Sequence, residues 1–105
     1  MKSASEIRFD FRQAIRRAEE LEEIACDMRR LSNKEMEDSL QRLAGAWKGE
    51  AADLFLSRGL QLRENIKQSA NDLDRAASAV RKAAKRIYDA EMAAYRRAKR
   101  REYHS

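Results

Sequence analysis

The sequence predicts an all-α fold: an antiparallel two-helix hairpin, turning near residues 45–50 and pairing into a four-helix bundle. Three observations lead there. Charged residues make up 39% of the 105 positions and aromatic residues 7%, with Ala, Glu, Lys, Leu and Arg dominant, the composition of long helices. Apolar residues recur at helical spacing, and runs of Val, Ile, Thr and Tyr that would signal strands are missing. Proline is absent, and two of the three glycines, Gly45 and Gly49, sit at the middle of the chain beside the single tryptophan, Trp47. One cluster of helix breakers between two long periodic stretches folds a chain back on itself once. At this length the chain is one domain, with helix 1 over about residues 4–45 and helix 2 over about 50–100.

Helix 1 starts at Ser3 or Ser5, either of which can cap it, with Glu6 in the first turn where the helix dipole favours an acid. Ile7, Phe11, Ala14, Ala18, Leu21, Ala25 and Met28 then alternate spacings of four and three, forming one stripe that Ile15, Ile24 and Leu31 widen. Ser32-Asn33-Lys34-Glu35 fits a capping box, which would break the helix there. Met36, Leu40, Leu43 and Trp47 resume the stripe after a local shift, so we expect one continuous helix with a bend or phase slip near Ser32. Cys26 has no internal partner for a disulfide, and its apolar neighbours predict a small buried or half-buried side chain.

In helix 2 the expected seam is Ala52, Phe55, Gly59, Leu62, Ile66, Leu73, Ala77, Val80, Ala84 and Ile87, with Ser69 and Ala70 filling the gap. Beyond Leu73 it becomes alanine-rich, so backbones can approach closely. Leu54, Leu56 and Leu60 fall off this seam, and with Phe55 they are the expected partner interface. A lone two-helix hairpin leaves much of each helix wet and struggles to offset the entropy of ordering about a hundred residues. A second hairpin closes a core. The chain is therefore expected to dimerise, with itself or with a related helical protein. Helix 2 is the longer, so its end from about Tyr88 or Met92 onward is expected to project as a tail.

Charge is unevenly placed. Residues 1–50 hold ten Lys or Arg against eleven Asp or Glu, and residues 51–105 hold thirteen against seven. The excess concentrates in Arg81, Lys82, Lys85, Arg86, Arg96, Arg97, Lys99, Arg100 and Arg101.

Trp47-Lys48-Gly49 between two amphipathic helices, in a chain near one hundred residues, resembles the WxG family of small type VII secretion proteins, relatives of the early secreted antigenic target. Leu43, Ala51, Ala52 and Phe55 match further positions, and the resemblance covers essentially the whole chain. It implies helical hairpins that associate antiparallel as four-helix bundles and are exported by a membrane-embedded secretion ATPase, alone or carrying larger effectors. Trp47 and Gly49 would then be the turn motif. The family also carries a tyrosine followed four residues later by an acid, after helix 2, as part of an export signal. Here Tyr88 is followed four later by Met92 and Tyr95 by Lys99, with Glu91 three after Tyr88. Tyr88 and Glu91 are thus a degenerate candidate export tail, or the chain is the signal-poor half of a heterodimer or a targeting chaperone for a toxin. The resemblance implies a Gram-positive source and a protein cytoplasmic before export, then secreted or at the cell surface without a signal peptide. The sequence agrees in showing no basic-then-apolar leader and no apolar run long enough to span a membrane.

No catalytic residue, metal site or cofactor is expected. His104 is the only histidine, no Cys/His group has ligand spacing, and Glu19, Glu20, Glu22 and Glu23 lack the histidines of a di-metal bundle. The alternative function is a basic adaptor binding nucleic acid or an anionic surface. Tyr95-Arg96-Arg97-Ala98-Lys99-Arg100-Arg101-Glu102-Tyr103 interleaves tyrosines with cations in its support, against the plainer reading of a cationic helix end complementing its own dipole.

Overall fold

The computed structural model describes residues 1–104, and they are all-helical. Helix α1 spans Ala4–Arg30, a π-helical segment covers Leu31–Met36, α2 spans Glu37–Ala46 and α3 spans Glu50–His104. The N-terminus is capped by Ser3 of a Ser-x-x-Glu box motif: Ser3 Oγ accepts from the Glu6 N–H at 3.1 Å, and the same hydroxyl donates to the Glu6 carboxylate at 3.3 Å. The second box motif, at Ser32, does not cap; the backbone there stays right-handed and the helix runs on.

The π segment has a sequence cause. Seam positions 18, 21, 25, 28 and 32 alternate three and four, then 32, 36 and 40 follow at two successive fours. One extra residue would rotate everything beyond it by about 100°. A wider π turn absorbs it and returns Met36, Leu40 and Leu43 to the packing face, where all three are half-buried.

Two compact units result: Met1–Leu21 with the chain from Ala76 onward, and Glu22–Arg75. In the first, Ile7, Ala18, Ala77, Ala84 and Met92 are buried. The Phe11 and Tyr88 rings lie 5.0 Å apart, and Lys2 reaches Glu91 at 3.2 Å. In the second, Arg29 meets Asp74, Ser32 meets Arg63, and Leu40 lies over Gly59.

Small side chains recur seven residues apart on each helical stretch, Ala18, Ala25 and Ser32 before the break and Ala70, Ala77 and Ala84 after it, and all six are buried. Six of the eight buried apolar residues are alanines, so most buried side chains remove only a methyl from water, about 0.8 kcal/mol each. Among the described residues, the second unit buries no large apolar side chain at all.

The seam of α3 differs from the expected one. Phe55, Leu62 and Ile87 are more than half exposed. Leu56, Arg63 and Tyr88, each one residue on, face inward and are half-buried. The sequence pattern steers toward the apolar residue of each pair, whereas the three-four rhythm set by Ala52, Gly59, Ala70 and Ala77 selects its neighbour. Cys26 is exposed rather than buried, because Ala25 takes the packing position beside it.

Candidate functional site

Trp47, Lys48 and Gly49 are the three non-helical residues between Ala4 and His104. Trp47 leaves α2 with an extended backbone while its N–H still donates to the Leu43 carbonyl at 2.9 Å. Gly49 has φ +119°, a conformation L side chains rarely adopt, and its carbonyl accepts from the Asp53 N–H at 3.0 Å to start α3. Glycine can be required at a position for a permissive turn or for a close approach. Only the first is present: nothing lies within 4 Å of where a Cβ would stand. The close approach is at Gly59, where a Cβ would come within 2.6 Å of Leu40 Cδ2. Gly45 stays inside α2.

Trp47 is not a buried anchor. It is 43% exposed, and its indole leans on the Phe55 ring at 5.9 Å with the planes tilted 56°. The pair forms an aromatic shelf at the turn, open on one side.

The expected interface residues do not make one patch. Leu56 belongs to the helix pairing face, and Leu60 follows a seam position, as do Arg29 and Asp74, which form an ion pair at 2.5 Å across that side. Phe55 instead precedes a seam position by one, as do Ile24, Leu31 and Leu62. In antiparallel helices these positions share the opposite side. Ile24, Leu31, Phe55 and Leu62 are 39–55% exposed, and Leu54, further round α3, is exposed too. Sequence reading assigned Ile24 and Leu31 to a broadened core face and Leu62 to the seam; their places one before Ala25, Ser32 and Arg63 are the signal that separates them.

Arg63 interrupts the seam of the second unit. Its guanidinium pairs with Glu37 at 3.2 Å, its carbonyl accepts from the fully buried Ser32 hydroxyl at 3.0 Å, and its Nε is buried without a partner. A polar layer here, opposite the π turn, fixes register where small apolar side chains specify it weakly.

The candidate export residues are not on a projecting tail. Tyr88 packs against Phe11, Met92 is buried, and Glu91 is held by Lys2, which also binds Asp10 at 2.8 Å. Those contacts, to Asp10 first and then Glu91, hold the Lys2 ammonium above the ordinary lysine range. The basic stretch beyond Tyr95 lies beside the N-terminus, where Ala98, Lys99 and Glu102 line a hollow with Met1, Ser3 and Glu6. Lys99 there has a raised pKa, chiefly from attraction to Glu102, and lies 5.7 Å from the Tyr95 ring centre.

Shallow hollows occur, one of about 140 Å³ lying between Phe11, Ala14, Ile87 and Tyr88, rimmed by Lys2, Asp10 and Glu91. Among the described residues no group of His, Cys, Asp and Glu could hold a metal ion. The side chain of His104 lies outside the described ones. No described helix is long and apolar enough to cross a membrane.

No family model, curated protein or solved structure matches the chain.

Proposed function

We propose that the chain is a small type VII secretion protein of the WxG kind, exported as a substrate or acting as export partner of a larger effector. In this reading it forms a helical hairpin hinged at Trp47–Gly49. That hairpin pairs with a second one, its own copy or the helical region of an effector, as a four-helix bundle. The observation that carries the reading is that Trp47-Lys48-Gly49 coincides with the sole helix break between Ala4 and His104, with glycine at the one positive φ among the described residues.

The apolar side of the second unit supports a pairing role. Its interior is alanine, serine and half-buried residues, while Ile24, Leu31, Phe55 and Leu62 remain in water. A helix pair that leaves its larger side chains outside needs a second apolar face against them. Tyr88 and Glu91, three apart on one face of α3, are the proposed recognition element for the secretion ATPase.

Export from a Gram-positive host carrying a type VII system tests this. Trp47→Ala and Gly49→Ala should accumulate in cells and be lost from the medium while retaining most of their helicity. Normal secretion of both variants would remove the assignment.

A further inference from the structure

Cations are partitioned between the two units. The unit formed by residues 1–21 and 76–105 holds fourteen Lys or Arg against seven Asp or Glu, net +7; the other holds nine against eleven, net −2. The apolar side and the cationic excess therefore belong to different units. We propose that the cationic unit docks on an anionic lipid surface through the outward face of the last turns of α3, an interaction separate from, and independent of, the export reading.

The geometry is that of a strip. Tyr88, Met92, Tyr95 and Ala98 form the packing side of α3 in this unit, half-buried or buried. At about 100° per residue, Lys82, Arg86, Arg96, Arg97, Arg100 and Arg101 fall within an arc of about 140° on the opposite side, over a length of about 28 Å. All six are exposed. Arg86, Arg96, Arg97, Arg100 and Arg101 have no carboxylate partner among the described residues. Asp89, the one carboxylate on that arc, is taken up by Lys85 at 3.0 Å. The strip lies on one continuous helix, and a row of cations along one side of a helix suits a sheet of headgroup phosphates.

Lipid is favoured over nucleic acid by where the aromatic rings lie. Stacking successive bases needs several open rings among the cations, but Tyr88 packs on Phe11 and Tyr95 is half-buried beside Lys99, which leaves Tyr103 as the one open ring of the three tyrosines. Of the large apolar side chains at this end, Tyr103 is 83% exposed and Met1 88% exposed. Met1 lines a hollow with Tyr95, Ala98 and Lys99, so both belong to the same end of the unit. A tyrosine at the edge of a polybasic strip is a residue type for the boundary between headgroups and acyl chains.

Co-sedimentation of the full-length protein with vesicles tests this, comparing phosphatidylcholine alone with phosphatidylcholine containing about a third phosphatidylglycerol, at about 0.1 M salt. Binding should appear only with the anionic vesicles and fall as salt rises. Replacing Arg96, Arg97, Arg100 and Arg101 together by Gln should weaken it at least about 30-fold. Tyr103→Ala should weaken it several-fold without changing the salt dependence. A control with Lys34, Arg42, Lys48 and Arg58 changed to Gln, removing equal charge from the other unit, should bind as wild type. All these positions are exposed, and circular dichroism of each variant checks that helix is retained. Equal binding to neutral vesicles, or equal loss in the control variant, would overturn the proposal. So would binding to a DNA duplex without binding to the anionic vesicles.

Discussion

The Ser32 hydroxyl donates to the Arg63 main-chain carbonyl at 3.0 Å, fully buried, where α1 gives way to a π turn. A carbonyl inside a regular α-helix already accepts one bond, so this second bond ties the extra residue of the first helical stretch to a fixed point on α3.

From this follows a test of the π turn. Deleting Glu35 removes the surplus residue and restores the three-four rhythm, so thermal unfolding followed by circular dichroism should shift by only a few degrees. Deleting Gln68, in the regular part of α3, should rotate half the seam out of contact and abolish the cooperative transition. Ser32→Ala should cost about 1 kcal/mol by denaturant titration, from the lost buried bond.

The turn gives an opposed pair of glycine effects. Gly49→Ala forces an L residue to φ +119° and should destabilise by about 1–2 kcal/mol although nothing would touch the new methyl. Gly45→Ala lies in helix with open space around it and should stabilise by up to about 1 kcal/mol. Equal changes in the two melting curves would contradict the account of the turn.

Tyr88 separates packing from recognition. Its ring contact with Phe11 predicts that Tyr88→Ala costs about 2 kcal/mol, while Tyr88→Phe keeps the contact and changes stability by less than about 0.5 kcal/mol. If the hydroxyl is read by the secretion machinery, Tyr88→Phe should nonetheless lower export. Wild-type export of a stable Tyr88→Phe protein would leave the tyrosine a packing residue only.

How much of this was legible in the sequence varies with the physical signal. The break was readable because Gly49 and the absence of proline leave one place to turn, and the slip near Ser32 because Met28, Ser32, Met36 and Leu40 repeat fours where threes should intervene. The pairing face of α3 was not readable by apolarity. Arg63 occupies a seam position with its charge carried to Glu37, and Leu56 and Tyr88 each stand beside an equally apolar residue that faces water. The small residues Ala52, Gly59, Ala70, Ala77 and Ala84 carried the true register, and small side chains contribute little to a hydrophobicity pattern. The buried state of Met92 was missed because comparing the lengths of the helices gave no account of Lys2 reaching Glu91 or of Ile7 lining one hollow with Ile87 and Tyr88.

The mass of the purified protein in solution, measured by light scattering, tests the central physical claim most directly. The chain weighs 12.2 kDa, and with Ile24, Leu31, Phe55 and Leu62 exposed it should pair. The wild type is predicted to form a stable complex of about twice the chain mass, and Ile24→Gln with Leu62→Gln to dissociate it together with its cooperative melting. A wild-type protein that melts cooperatively as a 12.2 kDa monomer, at every concentration, would contradict the claim that this helix pair is incomplete alone.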